Sequence, residues 1–332
     1  MDRGFWDTLP RPFFALAPMV NLTNAVTRRM IAVCGRADVS FTEFVSTAGL
    51  CSRGRARLLP DLFFCEGERP VVAKLFGRVP EQFVKAAALA AELGFDGIDI
   101  NMGCPDKAVL RQGAGSGLMK EPELAAEIVQ AAREGGRGLP VSVKTRIGYQ
   151  EEEVDSWVAR VVAMRPAALS LHGRTRKQKD LGQADWEAIA RAAVIAHEAG
   201  VLIVGNGDIK SRDEGLRRAA ESGCDGVMIG RAIIGNPWLF NPEVNRQSLD
   251  REVILDTMLR HAHIHAEVFS GIRPFLEMRT HLSRYVNDFP GARQLRDRLH
   301  HASSAADVEA IIREYREYQA AGGTSNPTDS PS

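Results

Sequence analysis

One stretch decides how the fold is interpreted, Gly97-Ile98-Asp99-Ile100-Asn101-Met102-Gly103-Cys104-Pro105. Its first residues have the apolar content of a buried strand, and Gly103 and Pro105 break that pattern. A thiol, Cys104, stands at the break. Because loops that follow strand C-termini commonly carry the chemistry of α/β proteins, Cys104 is a candidate nucleophile, metal ligand or proton donor. A lone cysteine is more often a small buried apolar residue, so both interpretations stay open at this point.

Seven further apolar runs of strand length accompany this one. The eight predicted strands cover residues 13–17, 39–43, 71–76, 97–101, 141–145, 168–172, 201–205 and 226–229. Amphipathic segments with apolar residues at every third or fourth place separate them, for example at 81–93, 122–134, 152–164, 186–199 and 213–222. Eight strand–helix units within roughly 230 residues predict an α/β protein with a (β/α)8 TIM barrel rather than an open, doubly wound sheet.

Six of the predicted strands end in polar or glycine-rich residues. These endings are Ala17-Pro18-Met19, Asn101-Met102-Gly103-Cys104, Lys144-Thr145-Arg146, His172-Gly173-Arg174, Asn206-Gly207-Asp208 and Gly230-Arg231. In a barrel the carboxyl ends of all strands meet at one mouth, whereas in an open sheet they spread along an edge. We therefore expect these side chains to surround a single site.

The pattern changes after residue 240. Helical periodicity without strands covers 252–269, 274–287, 292–300 and 305–319, with a break at Pro290-Gly291. We expect a TIM-barrel domain at 1–240, a small all-helical domain at 241–321 and a disordered tail at 322–332.

Composition narrows the class of protein. The 332 residues are 45% hydrophobic and 25% charged with a formal net charge of +0, so no global charge favours a polyanion. The five cysteines form no Cys-x-x-Cys pair, which argues against a disulfide framework or a metal site and for a reducing compartment. Acidic residues and prolines interrupt the first apolar runs, and no run approaches the ~18 apolar residues of a membrane span. We expect a cytoplasmic protein without membrane contact, and a monomer.

The endings of the last two predicted strands favour a phosphate site. Glycines at 205, 207 and 230 let backbone N–H groups approach an anion, and Arg231 adds a two-pronged donor. TIM barrels frequently bind phosphate with this pair of loops. The alternative is that the glycines are turn residues only.

Lys144 and His172 end two neighbouring predicted strands and are expected to point into the same mouth. A lysine there is costly to desolvate without an anionic partner, such as a phosphate or the pyrimidine edge of an anionic flavin. The alternatives are a salt bridge from Lys144 to Asp99 or Glu43, and a core role for His172.

Gly113-Ala114-Gly115-Ser116-Gly117 has the glycine content of a dinucleotide fingerprint but lies about a dozen residues beyond its strand, where a fingerprint should follow at once. We predict instead a mobile loop over the mouth, hinged by glycine.

Basic residues cluster in three places. Residues 273–301 hold six arginines against three acidic residues, and further clusters lie at 53–57 and 174–179. Such clusters supply salt-dependent, sequence-independent affinity for RNA, although most are only solvated surface. Arg174, Arg176, Arg279 and His281 from these clusters, together with Arg146 at the mouth, are the candidate RNA contacts.

Several motifs, in their order and spacing, resemble the tRNA-dihydrouridine synthases. They are Ala17-Pro18-Met19, Thr42-Glu43-Phe44-Val45, residues 99–105 of the opening stretch, Gly113-Ala114-Gly115-Ser116-Gly117, Val143-Lys144-Thr145-Arg146, His172-Gly173-Arg174-Thr175-Arg176, Met228-Ile229-Gly230-Arg231, Met278-Arg279-Thr280-His281-Leu282 and Phe289-Pro290-Gly291-Ala292-Arg293. The resemblance covers about residues 13–300.

This resemblance implies FMN-dependent reduction of the uracil C5–C6 bond in tRNA or another structured RNA, with NADPH or NADH as electron donor. It implies that Cys104 is the general acid and that Asn101 binds the uracil. The implied flavin contacts are Ala17, Pro18, Met19, Lys74, Lys144 and His172, and the implied phosphate contacts are Asn206, Gly207, Asp208, Gly230 and Arg231.

The chemistry of the residues agrees with that implication. Hydride transfer from flavin N5 to uracil C6 leaves C5 in need of a proton, and a thiol of ordinary pKa is protonated at neutral pH. The base must leave its stack to reach the mouth. Lys74 stands where the family usually has a glutamine, and its positive charge would favour a reduced, anionic flavin.

Two other functions remain open at this stage. One is an FMN-dependent TIM-barrel oxidoreductase that acts on a small molecule, and the other is a non-catalytic flavin-binding or RNA-binding homologue. The arginine-rich helical part argues against a small substrate, since such a substrate needs no basic platform. The sequence does not identify the uridine that is reduced.

Overall fold

A computed structural model describes residues 3–287, 289 and 291–321 of the chain. They contain nine strands, all paired in parallel: β1 (Phe13–Leu16), β2 (Ser40–Phe41), β3 (Val45–Ser46), β4 (Val71–Phe76), β5 (Gly97–Asn101), β6 (Val141–Arg146), β7 (Ala168–His172), β8 (Leu202–Asn206) and β9 (Gly226–Ile229). The strand order is β1-β9-β8-β7-β6-β5-β4-β2, with β3 also paired to β4.

The ring of strands closes between β1 and β2. A parallel bridge joins Ala15 to Val39, and the backbone N of Leu16 donates to the carbonyl oxygen of Val39 at 2.9 Å. The predicted (β/α)8 TIM barrel is confirmed.

The second predicted strand, 39–43, is shorter in the structure, because β2 ends at Phe41 and the next strand, β3, begins beyond the predicted range at Val45. The cause is Thr42, whose Oγ1 accepts the backbone N–H of Lys74 at 2.9 Å and donates to the carbonyl oxygen of Glu43 at 2.9 Å. A side-chain oxygen thereby replaces a backbone acceptor, and the regular ladder stops there.

Eight helices lie among the strands. They are α1 (Ala25–Gly35), α2 (Thr47–Leu50), α3 (Pro80–Glu92), α4 (Lys107–Arg111), α5 (Pro122–Gly136), α6 (Val154–Ala163), α7 (Trp186–Glu198) and α8 (Arg212–Ser222). Local sequence sets several of their ends: Asp185 and Ser211 accept backbone N–H groups at the starts of α7 and α8, and Gly223, at φ 72°, ends α8.

The amino-terminal end of the barrel is filled by apolar side chains. Trp6, from a short 3-10 helix at Gly4–Thr8, is fully buried, with its ring centroid 5.8 Å from that of Phe13 and 6.4 Å from that of Phe41. Because this end is packed, the carboxyl ends of the strands are left for the site.

The described residues form two compact units. The first comprises residues up to Ala25 together with Arg36–Ala232, and the second comprises Val26–Gly35 together with the chain from Ile233 on. Most of α1, which the sequence analysis did not predict, thus groups with the C-terminal helices. The domain boundaries that the sequence predicts, at residues 240 and 321, stay a prediction.

The second unit contains α9 (Arg251–Phe269), α10 (Arg279–Tyr285), α11 (Ala292–Leu299) and α12 (Ala305–Ala320). Leu255, Met258, Ala262 and Phe269 recur at helical spacing on α9 and are fully buried. A break in the helices was predicted at Pro290-Gly291, and Gly291, with φ 77°, directly precedes α11. Pro290 and the predicted tail at 322–332 lie outside the described residues. No described helix has the length and apolar content needed to cross a membrane.

Candidate active site

A cavity of about 760 Å³ opens at the carboxyl ends of the barrel strands. All six predicted strand endings contribute to its wall. The sequence-predicted residues that line it are Ala17, Pro18, Met19, Lys74, Asn101, Cys104, Lys144, Arg146, His172, Asn206, Gly207, Asp208, Gly230 and Arg231. Arg174, Arg176, Arg279 and His281 are not among its lining residues.

Lys74 on β4 forms an ion pair with Asp99, its register partner on β5. The Lys74 side chain is 2% exposed and that of Asp99 is 0% exposed. Ser142 Oγ donates a further hydrogen bond to Asp99 Oδ1 at 2.7 Å. The protein therefore neutralises the charge of Lys74 internally, and the carboxylate considered as a partner for Lys144 is used by Lys74.

Lys144 on β6 has an amide, not a carboxylate, as its hydrogen-bond partner. Its Nζ donates to Asn206 Oδ1 at 2.8 Å, and Asn206 Nδ2 donates to the carbonyl oxygen of Met228 at 2.8 Å, which fixes the orientation of the amide. Burial, and then the nearby charges of Lys74 and Arg146, lower the Lys144 pKa to about 7. An anionic ligand in the cavity would supply the missing counter-charge.

His172 is held in one tautomer by Arg174. Arg174 Nη1 lies 3.3 Å from His172 Nε2, and because a guanidinium only donates, Nε2 is the acceptor and Nδ1 carries the proton. Burial, followed by the charges of Lys144 and Arg146, lowers the His172 pKa well below its ordinary value, so the ring is neutral.

Arg174 itself is buried, and its donors are used inside the first unit. Its Nη2 bonds to Asp208 Oδ2 at 2.5 Å and to the carbonyl oxygen of Gly182 at 2.6 Å, and its Nε bonds to the carbonyl oxygen of Leu181 at 3.2 Å. In this structure Arg174 positions His172 and Asp208, which gives no support to the predicted RNA contact.

Asp208 and Arg231 lie next to each other at the phosphate end predicted from the sequence. Asp208 accepts from Arg174, from Arg231 Nη2 at 3.0 Å and from the backbone N of Ala184 at 2.8 Å. Burial acts to raise the Asp208 pKa, but these bonds outweigh it, so the pKa is lowered. Two arginines thus offset the repulsion that this carboxylate would exert on a phosphate.

The glycines beside Asp208 give the backbone room. Gly207 has φ 139°, and a Cβ there would lie 2.4 Å from Ala184 Cβ. A Cβ on Gly230 would lie 3.3 Å from Met19 Sδ. A side chain at 207 would collide with Ala184, so this glycine is required by the geometry, whereas a Cβ at 230 would make only a tight contact with Met19.

Cys104 lies on a turn shaped by Asn101. Asn101 Oδ1 accepts from the backbone N of Gly103 at 3.2 Å and of Cys104 at 3.1 Å, which leaves the Asn101 amide nitrogen as its remaining donor. Burial raises the Cys104 pKa, so the thiol is protonated at neutral pH.

Arg146 ties the Cys104 loop to the loop after β7. Its Nε donates to the carbonyl oxygen of Gly103 at 2.8 Å, and its Nη1 donates to those of Lys179 at 2.7 Å and Thr175 at 3.2 Å. Arg146 is therefore largely committed to backbone carbonyls, although it also lines the cavity.

The remaining predicted RNA contacts lie elsewhere. The guanidinium carbon of Arg176 lies 4.9 Å from the centre of the Tyr149 ring. In the second unit, Arg279 Nε donates to the carbonyl oxygen of Ala302 at 3.1 Å, and His281 is buried, with Nε2 3.2 Å from Thr27 Oγ1. A buried imidazole is not available to a polyanion at the surface, so this placement gives no support to an RNA contact by His281.

The segment at 113–117 is not a mobile loop over the cavity, and that prediction is wrong. Gly115–Lys120 forms a 3-10 helix in which Ser116 and Leu118 are fully buried, and residues 113–117 do not line the cavity. The segment folds back under Cys104 and bonds to its carbonyl oxygen. The sequence analysis missed this role of Ser116 because only the burial of the turn, not the glycine spacing, reveals it.

The fold and the cavity define an α/β-barrel protein with a cavity lined by basic side chains at the carboxyl ends of its strands and a thiol on the same rim. The comparison with known proteins specifies this class further. The family model described as dihydrouridine synthase (Dus) matches residues 15–320, and the chain belongs to this family.

Curated relatives agree over nearly the full length. The chain is 40% identical over 320 residues to the probable tRNA-dihydrouridine synthase 2 of Bacillus subtilis (strain 168), covering 95% of this chain and 97% of the relative. It is 42% identical over 320 residues to the probable tRNA-dihydrouridine synthase of Staphylococcus aureus (strain COL), covering 95% of this chain and 96% of the relative.

Solved structures share the fold at low sequence identity. A histamine dehydrogenase from Rhizobium sp. 4-9 aligns with a TM-score of 0.52 at 15% identity, over 68% of this chain and 44% of that one. A mutant of morphinone reductase in complex with tetrahydroNAD aligns with a TM-score of 0.50 at 13% identity, over 70% of this chain and 85% of that one. At such low identity these similarities show the fold alone.

Proposed function

We propose that this protein reduces the C5–C6 bond of specific uridines in tRNA to give 5,6-dihydrouridine, with FMN as cofactor and NADPH or NADH as electron donor. The observation that carries the proposal is the shared cavity, in which Lys144, a half-buried lysine without a carboxylate partner, and Cys104, a protonated thiol, both line the wall. Membership of the dihydrouridine synthase family supports the reaction, as do the names of the curated relatives.

The residues present fit FMN. Lys144 needs an anion, which the pyrimidine edge of a flavin can provide, and the neutral His172 ring lies at the same wall. Ala17, Pro18 and Met19 would line the ring, with Lys74 nearby. Asn206, Gly207, Asp208, Gly230 and Arg231 would hold the phosphate, where the two glycines leave space for an anion at the backbone. When bound and reduced, FMN supplies the hydride that uracil C6 receives.

Cys104 supplies the proton that uracil C5 needs. Its raised pKa keeps the proton on sulfur until transfer, and the guanidinium of Arg146 favours the thiolate left behind, which regains a proton from solvent. The Asn101 amide nitrogen would donate to a uracil carbonyl oxygen. The target base leaves its stack to enter the cavity, as enzymes that act on bases require.

Exposed basic side chains would provide the binding surface for RNA. Arg53, Arg55 and Arg57 are exposed side chains of the first unit, and the arginine-rich helices of the second unit would contact phosphates as well. The protein acts as a monomer in the cytoplasm, and tRNA is its macromolecular partner.

The test uses purified protein, FMN, NADPH and tRNA from a strain that lacks dihydrouridine. We expect dihydrouridine to form in the tRNA, and Cys104→Ala to bind FMN normally while losing uridine reduction. Unchanged turnover in Cys104→Ala would remove the thiol from the mechanism. Reduction of free uridine or an enone at a higher rate than tRNA would instead favour a small-molecule reductase. Mapping the dihydrouridines lost in a deletion strain identifies the position.

A further inference from the structure

The backbone of the Cys104 loop is hydrogen-bonded at every polar group from Met102 to Cys104. The next strand, β6, provides much of this support. The backbone N of Met102 donates to the carbonyl oxygen of Lys144 at 2.8 Å, and Thr145 Oγ1 donates to the carbonyl oxygen of Met102 at 3.0 Å. Arg146 bonds to the carbonyl oxygen of Gly103, as described above. A loop held at each peptide has little freedom to shift.

The last carbonyl of this loop is held by the glycine-rich segment. Ser116 donates twice to the carbonyl oxygen of Cys104, from its backbone N at 3.1 Å and from its Oγ at 2.9 Å. The Ser116 side chain is fully buried, so water does not compete for these bonds. Ser116 therefore anchors Cys104 from a point twelve residues further along the chain.

Gly115 allows this close approach. Its φ is 62°, and a Cβ on it would lie 2.9 Å from the carbonyl oxygen and 3.2 Å from the Cβ of Cys104, and 2.8 Å from Val109 Cγ1. Real Cβ atoms do not approach a backbone oxygen that closely, so any side chain at 115 would push Cys104 away. Gly117, in the same segment, is different, because the nearest atom to a Cβ there is Leu110 Cδ2 at 3.8 Å.

We propose that the turn formed by Gly115 and Ser116 positions the catalytic thiol: Ser116 anchors the Cys104 carbonyl, and the absent side chain of Gly115 sets how far Cys104 projects into the cavity. Both are positioning residues, since neither lines the cavity. The proposal rests on the proposed function for the role of the thiol, but the placement of Cys104 can be tested without it. A displacement of about 1 Å at a reacting group can cost about 100-fold in rate.

The experiment compares Gly115→Ala and Ser116→Ala with Gly117→Ala as the matched control, all loaded with FMN. We expect kcat on tRNA to fall about 100-fold in Gly115→Ala and about fivefold in Ser116→Ala, which keeps the backbone bond. KM for tRNA should stay within about threefold in both, because positioning acts on the chemical step. Gly117→Ala should match the wild type.

A second readout follows the thiol directly. Alkylation of Cys104 by iodoacetamide at pH 8 is measured by peptide mass spectrometry, with the exposed Cys51 as internal reference. We expect the ratio of Cys104 to Cys51 alkylation to rise at least about threefold in Gly115→Ala, because displacement reduces the burial that suppresses the thiolate.

Equal alkylation ratios in the wild type, Gly115→Ala and Ser116→Ala would overturn the proposal, as would a raised KM with unchanged kcat. If Gly115→Ala does not fold, Ser116→Ala, which adds no atom, still gives both readouts. If no protein of the series reduces tRNA, the proposed function fails while the alkylation ratios still decide whether the turn positions Cys104.

Discussion

Lys74 and Lys144 offer a comparison within one cavity. Both lie on barrel strands, both line the cavity wall, and both are held by hydrogen bonds across the sheet. Lys74 faces a carboxylate, Asp99, whereas Lys144 faces the amide oxygen of Asn206. The first lysine belongs to a neutral pair within the protein, whereas the second has no carboxylate partner, and an anionic ligand would raise its pKa from about 7.

The ion pair with Asp99 changes the electrostatic effect that Lys74 would have on a bound flavin. From the sequence, a lysine at this place would favour a reduced, anionic flavin by its added charge. In the structure the Asp99 carboxylate offsets part of that charge, so we infer that Lys74 favours a reduced, anionic flavin less than its charge alone would.

The largest effect is expected from Asp99→Asn. This variant leaves the Lys74 ammonium buried without a carboxylate, which should lower the free energy of unfolding by about 3–5 kcal/mol. Urea denaturation followed by circular dichroism measures the loss. The double variant Lys74→Met/Asp99→Leu serves as control and should recover most of it. A loss below about 1 kcal/mol in Asp99→Asn would mean that the pair is not the reason for Lys74's burial.

Lys144 should make the free energy of unfolding depend on pH. Because its folded-state pKa of about 7 lies below its ordinary value of 10.5, the unfolded chain binds more protons between these pH values. The free energy of unfolding of ligand-free protein should therefore rise from pH 7 towards pH 10, by up to about 1.4 kcal/mol per pH unit from this group. The measurement is the difference between the wild type and Lys144→Met at each pH. A difference that is constant with pH would contradict a lowered pKa.

Substitution of the two lysines should have different effects on the affinity for FMN. Lys144→Met removes a charge-assisted contact of about 1.5–3 kcal/mol, so FMN should bind about 10- to 100-fold more weakly. The matched variant Lys74→Gln/Asp99→Asn replaces one neutral pair by another and should change affinity by less than about threefold. Titration by quenching of flavin fluorescence gives both constants. Equal losses in the two proteins would show that Asp99 does not offset Lys74.

The smallest change in stability is expected at Arg231, another basic residue of the cavity wall. Its side chain is 63% exposed, so Arg231→Ala should change the free energy of unfolding by less than about 1 kcal/mol. FMN affinity should fall about tenfold while riboflavin affinity stays unchanged, because riboflavin lacks the phosphate. An equal decrease for both ligands would place Arg231 away from the phosphate.

The sequence predicted the barrel because buried strands leave continuous apolar runs between amphipathic helices. It predicted the cavity wall for the same reason, since parallel strands bring their carboxyl ends together. It did not predict α1 (Ala25–Gly35), whose apolar positions at Val26, Met30 and Ile31 are interrupted by Arg28 and Arg29. The early end of the second strand, at Phe41, was missed because it depends on one hydroxyl, that of Thr42.

The partners of charged side chains were beyond sequence reasoning. Asp99 was considered for Lys144, but strand register places it opposite Lys74, and register is not encoded in either run alone. Arg174 was predicted at an RNA surface, although its guanidinium is buried against Asp208. Such pairings follow from three-dimensional packing, so a list of charged residues does not reveal them.

The seam between β1 and β2 has a dynamic consequence. The other neighbours in the barrel share registers of two to five residue pairs, whereas a single bridge, Ala15 to Val39, joins these two strands. Amide protons on both sides of this seam should exchange with solvent sooner than those of β5 to β8. Because Ala17, Pro18 and Met19 follow β1 directly and line the cavity, transient opening there would displace this part of the cavity wall.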